Sequence, residues 1–199
     1  MLPSRGSDHW LGDGVYFFED DFYAYKWIVQ QCSKIYKEDY SEKILIKEYQ
    51  IFEVYLNIET ERVFDLRILD NKRYFDCAYQ KLLQEKNKIE EIKEIELSDG
   101  VVINFLFSVL DYNKKYDLVI ANFILNKNNY QKINSRLGYI EQVQLCVKNT
   151  KIINKIEIYW WQKHTKRYTM IWNDLFYHAQ PYSKKNRYNP KKEGYDYTT

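Results

Sequence analysis

The chain has 199 residues, enough for one domain that buries a hydrophobic core of its own. Its 30 Lys and Arg residues nearly balance 28 Asp and Glu residues, and the formal net charge of +2 excludes a general electrostatic attraction to nucleic acid or membranes. The three scattered cysteines disfavour a disulfide framework or a zinc site, and since neither a signal peptide nor a bilayer-spanning apolar run is visible, we expect a soluble, cytoplasmic protein.

The N-terminal segment predicts a turn, a short strand and a helix in close succession. Gly12 and Gly14 bracket the turn, because glycine takes positive φ angles and allows a ligand to approach the backbone closely. Residues 15–18, Val-Tyr-Phe-Phe, favour a strand. A helix is predicted from about Asp21 to Tyr36, since acidic residues suit the positive end of the helix dipole. Aromatic side chains next to accessible backbone suit a planar ligand.

The middle of the chain alternates strand-like and helical segments. Strands are predicted at residues 44–46, 51–58 and 63–66, and the second of these alternates apolar and polar residues. Helices are predicted at residues 71–93 and 101–110, the first largely solvated and the second buried. Three predicted strands and two predicted helices of this middle part therefore precede the last third of the chain.

The last third of the chain predicts the centre of a sheet and then a tail. Further strands are predicted at residues 117–123, 140–147 and 152–159, the first of them central. Residues 126–138 read as a polar loop, and residues 160–176 fit either a helix or a strand. The whole predicts one α+β domain over residues 1–182, followed by a disordered basic tail over residues 183–199.

Residues 12–17 read Gly-Asp-Gly-Val-Tyr-Phe, and Trp27 follows ten residues later. This order resembles the second motif of the ADP-ribosyltransferase fold, in the branch of the poly(ADP-ribose) polymerases. The resemblance implies a split β-sheet core with flanking helices, with NAD as the substrate. It implies that Tyr16 and Trp27 stack on the nicotinamide ring, as aromatic faces do with a flat heterocycle. The residues that it places at the cofactor are Gly12, Gly14, Tyr16, Tyr23 and Trp27.

The segment from Gln144, Gln-Leu-Cys-Val-Lys-Asn, resembles the late strand of bacterial members, at whose start the family carries its catalytic residue. Two registers stay open. Gln144 takes the position of the usual glutamate, or Glu141 supplies the carboxylate from three residues earlier. Strand alternation places Gln142 and Gln144 on one face and Glu141 on the other, which favours Gln144. This group would orient the ribose and stabilise the positive charge that develops on it, and the resemblance counts Tyr16 with it among the catalytic residues.

The family's first motif, a strand with His-Gly or His-x-[Thr/Ser], has no counterpart, because His9 directly precedes Trp10. We therefore expect an N-terminal strand and helix of this fold to be missing, through a misplaced start or a truncated gene. Translating the upstream nucleotide sequence tests this expectation. His164 and His178 have no partner at metal-ligand spacing, so no metal site is predicted.

Two functions remain. The leading interpretation is an enzyme that transfers ADP-ribose from NAD to an unknown protein or nucleic-acid acceptor, as bacterial toxins and defence effectors of this family do, provided that the first motif is supplied. The alternative is a catalytically inactive binding module. Its basic, tyrosine-rich tail would contact RNA or DNA through phosphate contacts and stacking.

Overall fold

The computed structural model of the chain describes residues 3–6, 9–36, 41–90, 97–123 and 142–172. The strands are β1 (Val15–Phe18), β2 (Ile51–Leu56), β3 (Val63–Asp65), β4 (Leu118–Phe123), β5 (Gln142–Val147) and β6 (Ile153–Tyr159). The helices are α1 (Asp21–Tyr36), α2 (Glu42–Glu48), α3 (Leu69–Lys86), α4 (Asp99–Ser108), α5 (Tyr112–Lys115) and α6 (Thr165–Trp172). None of these helices combines the length and the apolar character that crossing a membrane requires.

The strands form two separate sheets. The larger has the order β1-β5-β4-β3, and the smaller pairs β2 with β6. In the larger sheet β5 runs antiparallel to both β1 and β4, whereas β3 and β4 are parallel. The described part of the chain is therefore a mixed α+β fold with a four-stranded mixed sheet and flanking helices, which confirms the α+β prediction at this level. The predicted central position of β4 is also confirmed.

The strand predicted at residues 44–46 is wrong, because this segment lies in helix α2. The side chain of Ser41 accepts a hydrogen bond from the Ile44 N–H at 3.4 Å and begins the helix. Leu45 is fully buried while Ile46 is 44% exposed, so only one side of the apolar run faces the core. The alternatives for residues 160–176 are also decided as far as Trp172, because α6 is a helix.

One face of the four-stranded sheet, the helix-covered face, carries Tyr16, Cys146, Val119 and Phe64 in one row across the strands. On its β3–β4 side this face packs against α3 and α4 in a first hydrophobic cluster. Beyond β1, Phe18 packs against a second cluster formed mainly by α1, the 3₁₀ turn that starts at Trp161, and α6. Two clusters therefore share this face.

Asp117 ties three strands of the sheet together at one end. Its carboxylate accepts hydrogen bonds from Nε and Nη2 of Arg62, the latter at 2.9 Å, and from Nδ2 of Asn149 at 3.0 Å. Its main-chain oxygen accepts a hydrogen bond from the Lys148 N–H at 2.8 Å. The hydrogen bonds from Arg62 lower the pKa of Asp117, so the buried carboxyl group stays ionised. This clamp fixes where β5 ends.

Candidate functional site

The boundary between the two hydrophobic clusters falls on the row that contains Phe18, Gln144 and Ala121. Ala121 belongs to the first cluster, and Phe18 packs against the second. Gln144 lies between them and is partly exposed. Its carboxamide makes no hydrogen bond to any residue that the structure describes. A polar group that makes no hydrogen bond to the described residues and lies between two packed clusters is suited to contact a ligand.

Tyr16 lies on the same face as Gln144, on the neighbouring strand. Tyr16 pairs with Cys146, which is two residues beyond Gln144, so the two predicted residues are diagonal neighbours. Diagonal neighbours in an antiparallel pair lie about 7–8 Å apart. The predicted common face of Gln142 and Gln144 is confirmed, because they pair with Phe123 and Ala121 of β4.

The glycines of the turn are required by contacts within the protein. The φ angles of Gly12 and Gly14 are +70° and +156°. A Cβ atom at Gly12 would overlap Oδ1 of Asn104, and one at Gly14 would overlap Sγ of Cys146. The Asp13 N–H also donates to Oδ1 of Asn104 at 2.7 Å. The turn therefore contacts α4 closely at Gly12 and β5 closely at Gly14.

The hydroxyl group of Tyr16 holds this turn closed. It donates to the carbonyl oxygen of Gly12 at 2.7 Å and accepts a hydrogen bond from the Leu11 N–H at 2.8 Å. Burial raises the pKa of Tyr16, and the nearby thiol of Cys146 raises it further. The phenol therefore stays protonated, and Tyr16 contributes its ring and its hold on the turn rather than a transferable proton.

Lys148 also holds the turn in place. Its Nζ donates to the carbonyl oxygens of Leu11 at 2.6 Å and Asp13 at 2.5 Å. It also lies 5.2 Å from the ring centroid of Phe107. Burial lowers the pKa of Lys148 and raises that of the neighbouring Cys146 thiol. The end of β5 therefore determines the position of the turn that precedes β1.

We expect Tyr16→Phe to lower the free energy of unfolding by about 1–3 kcal/mol, because the Leu11 N–H loses its acceptor in a partly buried position. Urea denaturation of the purified protein measures the change. Tyr74→Phe is the matched control, since Tyr74 is 61% exposed on α3, and its effect should stay within about 0.5 kcal/mol. Equal effects of the two substitutions would contradict the role of the hydroxyl group.

Helix α1 carries the other aromatic residues predicted at the cofactor. Trp27 is 48% exposed and makes no ring contact with Tyr16. Tyr23 is buried in the second cluster, with its ring edge-on to Phe22 at 5.4 Å between centroids. The structure does not bring Tyr16 and Trp27 into direct contact, and their sandwich around a ligand stays a prediction.

Asp21, the first residue of α1, fixes this helix to the second sheet and to α6. Its carboxylate accepts hydrogen bonds from the hydroxyl groups of Tyr159 and Tyr168, the latter at 2.8 Å, and from Arg167 Nη1 at 3.1 Å. Burial opposes ionisation of Asp21, but these donors outweigh it and lower its pKa. The orientation of the helix that carries Trp27 is therefore well defined.

An aromatic pair lies at the Phe123 end of the helix-covered face. The rings of Trp10 and Phe123 have their centroids 4.6 Å apart and are tilted by 42°. Phe123 pairs with Gln142, which is 7% exposed, while Trp10 itself is 47% exposed. The sequence alone predicted no role for this pair, because the two residues belong to distant segments.

Sequence reasoning also missed three residues that position the turn: Asn104, Lys148 and Gly100. Asn104 could have been recognised from the sequence, because it is an amide inside an otherwise apolar helix. Lys148 could not have been recognised, because a lysine at the end of a strand is typically solvated. At Gly100 a Cβ atom would overlap the carbonyl oxygen of His9, so α4 and the turn touch through their backbones.

Some predicted residues lie outside the described ranges. These are Glu141, His178, the loop predicted at residues 126–138 and the tail over residues 183–199. Within the ranges that are described, no group of three or more His, Cys, Asp or Glu side chains is arranged to hold a metal ion. The site therefore consists of the turn, the two glutamines of β5 and the aromatic residues around them.

Among known proteins, the chain is similar to the uncharacterized protein MJ0359 of Methanocaldococcus jannaschii, with 34% identity over 190 residues. The similarity covers 88% of this chain and 85% of that protein. No protein-family model matches the chain. No solved structure matches it.

Proposed function

We propose that the protein is an ADP-ribosyltransferase-like enzyme, and the proposal comes from the geometry of the site. The chain belongs to the same family as the uncharacterized protein MJ0359, whose name states no activity. It takes NAD as its substrate and transfers ADP-ribose to a macromolecular acceptor, a protein or a nucleic acid. The division of the strands into a four-stranded and a two-stranded sheet supports the split β-sheet core that the sequence resemblance implies.

The observation that carries the proposal is the carboxamide of Gln144 at the boundary between the two clusters. It has no hydrogen-bond partner among the described residues and lies diagonally across from Tyr16. These are the two residues to which the sequence resemblance assigns the ribose and the nicotinamide. Gln144 and Tyr16 lie on the same face of the sheet. This supports a single site for the ribose and the nicotinamide, because these two groups are joined by the bond that breaks.

The chemistry follows from the charge that develops on the ribose. As the bond between the nicotinamide nitrogen and the ribose carbon breaks, its electron pair leaves with neutral nicotinamide and positive charge grows on the sugar. The carboxamide oxygen of Gln144 accepts a hydrogen bond from a ribose hydroxyl group and directs its dipole at that charge. The ring of Tyr16 excludes water from one side until the acceptor attacks the sugar.

The test is nicotinamide release from NAD, measured by chromatography, together with transfer of labelled ADP-ribose to proteins or nucleic acids of a cell lysate. Gln144→Ala should lower the rate at least tenfold, because a positioned polar group at a developing charge contributes about 10²–10³ in rate. Gln80→Ala, on the exposed surface of α3, is the matched control and should not change it. If the wild-type protein neither binds NAD nor turns it over, the proposal is refuted.

A catalytically inactive binding module is the second candidate. One observation favours it: the group at the expected catalytic position of β5 is a neutral amide instead of a carboxylate. An amide can orient a sugar but stabilises a cation less than a carboxylate does. Tight binding of NAD without release of nicotinamide, in calorimetry and chromatography on the same preparation, would support this candidate over the enzyme.

A further inference from the structure

We infer that Trp10, rather than Trp27, supplies the aromatic surface for the planar group of the ligand, and that the carboxamide of Gln142 recognises a carboxamide on that group. The ligand class is a flat heterocycle that carries a carboxamide. This inference rests on the proposed function and identifies where the nicotinamide end of the substrate binds.

Trp10 is a stacking surface that is already in place. The next residue, Leu11, is 1% exposed and anchors the segment in the first cluster. The Gly12 N–H donates to the carbonyl oxygen of His9 at 3.1 Å, so a hydrogen-bonded turn encloses Trp10. The indole rests on Phe123 and is still 47% exposed. A ring that is supported on one side and open on the other loses little freedom when a ligand stacks on it.

Gln142 pairs with Phe123, the residue whose ring contacts Trp10, and it lacks a hydrogen-bond partner among the described residues. Gln142 is 7% exposed, yet its carboxamide makes no hydrogen bond to the described residues, and neither does that of Gln144. An amide that makes no hydrogen bond to the described residues is available to a ligand, which replaces the hydrogen bonds that the amide would otherwise make to water. A carboxamide has both a donor and an acceptor and can pair with a glutamine side chain through both.

Trp27 lacks the corresponding support. It is 48% exposed on α1, and no aromatic ring of the described residues contacts it. The strand next to that helix presents Phe18, whose ring packs into the second cluster. A ligand that stacked on Trp27 would have to immobilise a side chain that no ring of the described residues supports, which weakens binding.

Nicotinamide alone is the probe, and isothermal titration calorimetry measures its binding, so that the measurement does not depend on the tryptophan that is replaced. Trp10→Leu should raise its dissociation constant about tenfold or more, as loss of one stacking ring does for a base. Trp27→Leu and Trp160→Leu remove tryptophans of similar exposure and should leave it within about twofold. Gln142→Met, which keeps the size of the side chain, should weaken binding about as much as Trp10→Leu, and it serves if Trp10→Leu proves unstable.

The opposite ranking, with binding lost in Trp27→Leu and kept in Trp10→Leu, would overturn the inference. So would the absence of saturable nicotinamide binding by the wild-type protein. The proposed function is judged separately by turnover of NAD. The protein could bind nicotinamide in a way that depends on Trp10 and yet never release nicotinamide from NAD. That result would support this inference and refute the proposed enzymatic activity.

Discussion

Replacing Asp117 with alanine should lower the free energy of unfolding by about 3 kcal/mol, the lower end of the cost of breaking a buried ion pair. The side chain of Asp117 is 6% exposed, whereas that of Arg62 is 37% exposed and can regain water when its partner is lost. Asn149 loses its acceptor as well. In a chain of this size the melting temperature should fall by about 6–12 °C.

The matched control is Asp76→Ala, which removes a carboxylate that pairs with Lys72 on the surface of α3. Both side chains are about half exposed, so the change should stay below about 0.5 kcal/mol. Comparable destabilisation by the two substitutions would show that the clamp is no stronger than a surface ion pair.

The same pair of residues predicts a pH dependence. Because the pKa of Asp117 is lowered in the folded protein, its contribution is complete above the ordinary carboxyl pKa of about 4 and is lost as the pH falls through the folded value. The difference in stability between the wild-type protein and the isosteric Asp117→Asn variant should therefore shrink below about pH 4. A difference that is equal at pH 3 and pH 7 would contradict this assignment.

Elements with strong local signals were predicted well. The structure begins and ends β1 and α1 at the predicted residues, because a β-favouring run is followed at once by an acidic helix start. Residues 44–46 failed for the opposite reason. Three consecutive apolar residues fit a strand or a helix equally, and the choice depends on the Ser41 cap and on which side chain the core accepts.

The site was predictable only where it depends on a single strand. The common face of Gln142 and Gln144 follows from the two-residue repeat of β5 and needs no knowledge of its neighbours. The diagonal relation of Gln144 to Tyr16 depends on the register between distant strands, which one sequence does not determine. The contact between Trp10 and Phe123 depends on the same long-range pairing.

Replacing Gln144 with glutamate should raise the rate of nicotinamide release from NAD by about 10–100-fold. The substitution keeps the size and shape of the side chain but puts a full negative charge where, in the proposed reaction, positive charge develops on the ribose. Charges about 4 Å apart near a protein surface attract by about 4 kcal/mol, and only about 1.4–2.8 kcal/mol of added transition-state stabilisation gives this acceleration. Gln144 is partly exposed, so a glutamate there can ionise at neutral pH.

Single-turnover measurement of nicotinamide release at pH 7 separates this effect from a change in NAD affinity. Gln80→Glu adds the same charge on the exposed surface of α3, and its rate should equal that of the wild-type protein. If the rate with glutamate at position 144 is unchanged or lower while the protein stays folded, the side chain does not face the reacting sugar. The catalytic group would then have to lie elsewhere, because a carboxylate near the developing charge must lower the barrier unless NAD binds in another orientation.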